Sequence, residues 1–282
     1  MTELTYAAAP SRAQELRKLS AFVRRDFLVL WSYRLSFLTS FVGLFGGALI
    51  FYFIGKMVDP AAIPSVGGKR VTYLEFAVIG MTLGGFVHLG LERVSAALRN
   101  EQLMGTLESL LTTPTSSQTI QVGSVLFDLI FIPVRMGLLL AMLALAFGLG
   151  LDVGGVPQSL VLLAFFMPFV WGLGILSAAL TLTFRRGAGV VTLATGALTL
   201  VSGLYFPLSL LPNWLETASA ANPLTIAATG LREALLGGMG WGSIGGDILL
   251  LAPLSIVSVV IGMLAFRLAL RRERRLGTLG AY

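Results

Sequence analysis

The chain has 282 residues, 56% hydrophobic and 12% charged, with 20 basic residues against 14 acidic ones and a formal net charge of +6. A soluble domain carries about 25% charged residues and leaves no very large apolar patches, so this composition excludes a soluble globular enzyme and a disordered chain alike. The absence of cysteine excludes disulfides, thiolate chemistry and cysteine-held metal.

Residues 11–32 come first. Leu16, Leu19, Val23, Phe27, Leu30 and Trp31 fall on a single helical stripe, with Arg17, Lys18, Arg24 and Arg25 mostly off it. That pattern predicts a basic amphipathic helix lying at a membrane surface, in contact with lipid, and leading into the first span. No secretory signal peptide is expected, because 34 polar or amphipathic residues precede the first apolar run.

Six spans are then predicted, at 33–55, 72–94, 119–151, 156–184, 188–210 and 246–268. Each holds a run of about 20 apolar residues, enough to cross a hydrocarbon core of ~30 Å as a helix. Period-two alternation, expected of a barrel strand, is absent. In the first span Phe37, Phe41, Phe45 and Tyr52 lie near one side. Those rings either face lipid or line a route for an amphipathic or glycan cargo, by stacking or cation–π contact. Gly43 and Gly47, and Gly80 and Gly84 in the second span, form small-xxx-small pairs that let backbones approach.

Ionisable groups at membrane depth are costly and functional by default. Glu75 stands one turn into the second span, near its outer surface, and His88 is the single histidine of the chain, read as a packing residue ahead of a proton relay. Asp128 and Arg135 are seven residues apart on the third span, hence on one face and about 10 Å apart along the axis.

The fifth apolar run is too long for one crossing. Its excess contains Pro207, Pro212, Pro223, Gly237 and Gly238, which suits two short helices within 212–236 that dip in and turn back before the last span. The fold expected is therefore an all-α integral membrane protein of one domain, 1–282. It has six spans, an interfacial N-terminal helix, a short cytoplasmic helix and two re-entrant outer helices.

The short cytoplasmic helix is predicted at 100–113, between the second and third spans. Leu103, Leu107, Leu110 and Leu111 make one face leucine-rich, Glu101 and Glu108 lie two turns apart, and Pro114 stops the helix. A helix of this kind either floats at the interface or docks a soluble partner. With both termini cytoplasmic, 15 of the 20 basic residues fall inside and four outside, a strong positive-inside asymmetry. The net positive charge then reports topology and anionic lipid contact, not nucleic acid binding.

The stretch Glu101-Gln-Leu-Met-Gly105-Thr-Leu-Glu108-Ser-Leu-Leu-Thr-Thr-Pro114 resembles the cytoplasmic loop of type-2 ABC export permeases. So do Tyr205-Phe-Pro-Leu-Ser-Leu-Leu-Pro212, Ala221-Asn-Pro-Leu-Thr225 and Leu231-Arg-Glu233, in the expected order. The resemblance implies that 100–113 is a coupling helix seated in a cleft of an ATP-binding subunit. Glu101, Leu103, Met104, Gly105, Leu107, Glu108, Leu110 and Leu111 would carry that contact. It also implies a path between the first and fifth spans of opposite subunits, with Phe37, Phe41, Phe45, Tyr52, Tyr205 and Phe206 as candidates to line it. The chain would then be a permease of a prokaryotic cytoplasmic membrane, paired with itself or with a similar permease.

No G-x-x-x-x-G-K-[ST] loop is present, and Gly67-Gly-Lys-Arg70 has the wrong spacing. ATP and Mg would accordingly sit on the partner subunit, with no cofactor and no metal on this chain. One His, no Cys and no G-x-S-x-G leave hydrolase chemistry nowhere to form, so no enzyme is expected. The rival is an ion-coupled secondary transporter, which would usually show broken helices at matching positions in both halves. The Pro/Gly breaks occur only in the second half, around Pro207 to Gly238.

Overall fold

The computed structural model describes residues 12–32, 34–103, 117–184, 187–238 and 240–276. Among the described residues it is helical without a strand. The helices are α1 (Arg12–Ser32), α2 (Arg34–Gly55), α3 (Tyr73–Leu103), α4 (Ser117–Phe147), α5 (Val156–Thr183), α6 (Gly187–Leu200), α7 (Asn213–Ser219), α8 (Pro223–Leu235) and α9 (Trp241–Leu276).

Four apolar helical stretches among the described residues are long enough to cross a membrane: Tyr73–Leu91, Ile130–Phe147, Val153–Thr181 and Trp241–Ala269. Two further apolar helices, Val42–Gly55 and Gly189–Leu200, are shorter. The chain is a multi-pass membrane protein on this architecture. Within it α3 is the central element, with 67% of its spanning stretch buried against 22% for α4 and α9, whose outer faces are left for lipid.

Packing follows from small residues and hydroxyls. The most extensive helix pair is α5 with α9. The backbones meet where Gly172 lies on Ser258 and Gly262 lies on Gly172, contacts that a Cβ at either glycine would obstruct. Ser255 Oγ donates to the Phe165 carbonyl at 2.7 Å and Ser258 Oγ to the Phe169 carbonyl at 2.9 Å. Without a hydrophobic drive between helices in lipid, such close approach and interhelical hydrogen bonding hold a bundle together. The core proper centres on Ile79, Leu83, Leu139, Leu143, Leu162 and Phe166, all under 2% exposed.

Glu75 joins two connections at one end of the bundle. Its carboxylate accepts from Thr72 N at 2.7 Å and Thr72 Oγ1 at 2.9 Å, and Thr72 Oγ1 accepts from Glu75 N at 3.3 Å, a reciprocal cap on α3. Its other oxygen accepts from Gly150 N at 3.0 Å, which ties the α4–α5 connection to the same helix start. This is the position one turn into the second span that the sequence predicts. The Gly67–Gly68 pair, with φ of 57° and 77°, closes a two-residue turn whose flanking Val66 and Lys69 exchange backbone hydrogen bonds at 3.0 Å. It is a two-residue hairpin turn.

Three elements differ from the expected bounds, and one of them, α9 (Trp241–Leu276), overruns the expected 246–268 at both ends. α3 runs on continuously through Leu103, so the first four residues of the predicted 100–113 helix extend the second span. The fifth span, expected at 188–210, is a helix only to Leu200. At 14 residues it is about 21 Å long, short of a ~30 Å core. The reason is local. Gly203 takes a φ of 67°, and Pro207 has no N–H to continue a helix, so the chain leaves the helix with its last carbonyls open.

Candidate functional site

Those open carbonyls organise the candidate site. Residues 198–205 present a row of backbone acceptors, and their donors come from three elements: the start of α3, the end of α7, and α8 with its cap residue. Asn222 Nδ2 donates to the Leu198 carbonyl at 2.8 Å, and Ser219 Oγ donates to the Val201 carbonyl at 2.5 Å. Arg232 Nη2 donates to the Gly203 carbonyl at 3.0 Å and the Leu204 carbonyl at 2.7 Å. Tyr73 Oη donates to the Tyr205 carbonyl at 3.0 Å. Backbone polar groups in an apolar bundle must find partners, so this break exists only because side chains of α3, α7 and α8 fill it.

Asn222 has two tasks. While its Nδ2 reaches back to α6, its Oδ1 accepts from Leu224 N at 3.0 Å and caps α8, with Pro223 in the first turn where no donor is needed. The Asn-Pro pair is thus both the start signal of α8 and its anchor to α6.

Arg232 is the centre of the arrangement. It is 5% exposed, its Nε lies 3.3 Å from the Phe76 carbonyl, and its guanidinium carbon sits 3.5 Å above the centroid of the Phe76 ring. Burial pulls its pKa down to about 9, still above neutral, so the guanidinium keeps its charge. Its compensation is three carbonyls and a ring face, with no carboxylate. In the basic tally Arg232 is one of the four residues on the outer side, with Lys56, Lys69 and Arg70. The missed signal was its setting: eight residues of Leu, Thr, Ile, Ala and Gly, 224–231, lead up to the arginine.

The two short helices predicted within 212–236 are present and unlike each other. α8 is a core element, with all but two of its 13 residues buried, packed on α3, α5 and α9. α7 is superficial, and its Trp214 is 71% exposed. The far end of α8 is also held: Asp152 N donates to the Leu235 carbonyl at 2.7 Å, Gly155 packs on the Ala234 carbonyl, and Gly67 on Gly237. Beside Arg232, burial pushes the Glu233 carboxyl above its usual value.

Gly80 and Gly84 serve the same site. Gly80 lies directly against the Leu204 backbone, and a Cβ at Gly84 would stand 2.7 Å from Tyr205 Oη. This small-residue pair therefore mediates a contact inside one chain. Gly43 meets nothing within 4 Å.

Of the predicted path residues, Phe45 and Tyr52 pack inside the subunit. Both rest on Phe147 at the end of α4, with centroids 5.5 and 5.2 Å apart, because seven residues bring them to one face of α2. Phe51, from the adjoining face, stacks on Tyr205 at 5.5 Å with the rings 6° from parallel. Phe206 is half-buried nearby in sequence. The side chains of Phe37 and Phe41 lie outside the described residues. Arg135 is half-buried in α4 and His88 is on an exposed flank of α3, while the side chain of Asp128 is outside the described set. Met104, Gly105, Leu107, Glu108, Leu110 and Leu111 lie outside the described residues, as do the side chains of Glu101 and Leu103.

Residues 17–236 match the ABC-2 type transporter family, and the chain belongs to it. Among characterised relatives it is similar to the linearmycin resistance permease protein LnrN of Bacillus subtilis (strain 168), 26% identical over 182 residues. That alignment covers 64% of this chain and 47% of the relative, so the chain spans about half of the relative's length.

Proposed function

From membership of the ABC-2 type transporter family, we propose that the chain is the membrane-spanning half of an ATP-driven exporter. A separate subunit binds ATP and Mg and drives it through the loop at 100–113. Two copies, or this chain and a similar permease, enclose the path. The protein sits in a prokaryotic cytoplasmic membrane with both termini inside, the arrangement that puts most of its basic residues on the cytoplasmic side.

The observation that carries this reading is the folded-back pair α7–α8, clasped to the break of α6 at the same end of the bundle as Glu75 and the α4–α5 connection. In the proposed cycle, ATP closes the paired subunits, the 100–113 segment moves with them, and α3 carries that motion along its length. Because α3 reaches Arg232 through Phe76 and Leu204 through Gly80, a shift of α3 bears directly on α8 and the α6 break. The pair then acts as an outer gate.

Two apolar flanks support a paired permease. α2 exposes Leu35, Val42, Ile50 and Phe53, and α6 exposes Val190, Leu193 and Leu200. These are the first and fifth predicted spans, which a path between opposite subunits would bring together. The cargo assigned is hydrophobic, amphipathic or a glycan. The relative is named for linearmycin resistance, which makes linearmycin the first cargo to test.

The test is to co-express the chain with candidate P-loop ATPases, purify the complex and reconstitute it. Stoichiometric co-purification and cargo movement that requires ATP support the reading. Proton-driven transport by this chain alone would establish the ion-coupled rival, and ATP hydrolysis by the isolated chain would end the division of labour.

A further inference from the structure

A cavity of ≈ 100 Å³ lies where α3, α4, α5 and α8 come together. Its walls include Leu83 and Phe86 of α3, Met136 and Leu140 of α4, Leu163 of α5 and Leu231 of α8. The two hydroxyls on its lining are already used: Thr82 Oγ1 donates to the Val78 carbonyl at 2.7 Å and Ser159 Oγ to the Gly155 carbonyl at 2.8 Å. A water placed there would lack the two or more polar partners it needs, and apolar cavities of this size class stay dry and take up hydrocarbon.

The cavity also has a mouth on the lipid side. Val156 and Leu160 of α5 line it and are 42% and 52% exposed, and the lining continues to the exposed Gly137 of α4. Pro133 and Gly137 keep the α4 wall thin: a ring that offers no N–H, then a residue whose added Cβ would meet nothing within 4 Å. All these residues belong to stretches of spanning length or lie at their margin, so what surrounds the mouth is acyl chain.

We propose that this cavity is a binding site for a short segment of one acyl chain of a membrane phospholipid, which reaches in between α4 and α5 and meets α8. The site lies apart from the route assigned to cargo between α2 and α6, and the reading does not depend on what the exporter carries. Its floor is formed by Leu231 and Leu235, the residues that flank the Arg232 clasp on α8. A chain seated there fills the space into which α8 would otherwise relax.

The full chain, reconstituted in vesicles of phosphatidylethanolamine and phosphatidylglycerol, is doped with phosphatidylglycerol bearing a diazirine midway along one acyl chain, then irradiated and mapped by mass spectrometry. Adducts are expected to concentrate on Met136, Leu140 and Leu163, above the level at the openly exposed Leu249 of α9. Gly137→Leu, which fills the thin wall, and Leu160→Phe, which blocks the mouth from an exposed position, should each bring cavity labelling down to the Leu249 level. Equal labelling at cavity and control positions, or labelling unchanged in both variants, would overturn the proposal. So would efficient disulfide formation between copies carrying Leu160→Cys in this cysteine-free chain, because the mouth would then be covered by a second copy.

Discussion

Arg232 of α8 donates a 2.7 Å hydrogen bond to the carbonyl of Leu204, 28 residues earlier in the chain. Between them lie the whole of α7 and most of α8, so one guanidinium closes the doubled-back segment onto the helix that precedes it. The same group reaches Gly203 and Phe76, which makes the clasp a three-way joint among α3, α6 and α8.

Arg232→Met keeps much of the buried volume and removes every donor. Carbonyls left without partners in an apolar site cost about 1–3 kcal/mol each, so a loss on the order of 3 kcal/mol is expected. Arg232→Lys retains the charge, but a single ammonium cannot reproduce the planar fork over Phe76, and it should recover only part. Thermal unfolding of the detergent-solubilised protein reads the series. Equal midpoints for all three proteins would show that the clasp does not hold α8.

Gly80→Val should separate α3 from the break. The substitution drives a side chain into the Leu204 backbone, which cannot yield as a flexible side chain would. Gly43→Val, in the same chain, enters open space. The expected outcome is a large fall in folded yield of the isolated chain for the first and a near-normal yield for the second. Similar behaviour of the two variants would refute the backbone contact.

Asn222 can be dissected atom by atom. Asn222→Asp keeps the oxygen that caps α8 and loses the donor to Leu198, while Asn222→Ala loses both. A cap is worth about 1 kcal/mol and a buried unsatisfied carbonyl about 1–3 kcal/mol. Asn222→Ser, which can cap but cannot reach α6, should therefore fall between wild type and Ala. A ranking with Ser at or below Ala would show that the cap contributes nothing.

The extent to which all this was legible in the sequence depends on what each feature is made of. The four apolar stretches of spanning length in α3, α4, α5 and α9 rest on local hydropathy, and the structure has a helix at each, although α3 and α9 run well past the expected 72–94 and 246–268. The end of α6 rests on donors supplied from elsewhere. Residues 187–215 read as one charge-free run because hydropathy counts side chains, whereas the break is set by backbone carbonyls that Asn222, Ser219, Arg232 and Tyr73 satisfy from a distance. Gly80 and Gly84 were legible as a close-approach pair, but not their partner, since a glycine spacing carries no address. The aromatic face of α2 was legible as a face, while its contact with Phe147 depended on where α4 ends.

Glu233 gives the structure a pH signature. Burial raises its folded carboxyl pKa, so the folded state holds a proton more tightly than the unfolded chain does. The sign follows: the group opposes folding least at acid pH, and stability falls as pH rises from its unfolded pKa through its raised folded value. Glu233 also lies within charge reach of Asp247 on α9, so where both are ionised they repel across the α8–α9 contact. Glu233→Gln removes the ionisation. The variant should unfold at a higher temperature than wild type at pH 8, and the difference should shrink by pH 4. A wild type more stable than Glu233→Gln at pH 8 would mean that the carboxylate has a favourable partner after all.

The last prediction concerns the proposed coupling to ATP. In the proposed coupling the leucine-rich segment 100–113 seats in a close-fitting cleft, and Gly105 stands in it between Leu103 and Leu107, where a bulky cation would hold the segment off the partner. Gly105→Arg and Glu108→Arg should abolish cargo-stimulated ATP hydrolysis in the reconstituted complex. Membrane insertion and the thermal midpoint of the isolated chain should stay unchanged, because the α8 clasp is built from residues 73–80 and 198–232. Arg232→Met should show the opposite split, with ATP-binding subunits still co-purifying while the chain unfolds earlier. Normal transport by either loop variant would place the coupling contact elsewhere on the cytoplasmic side.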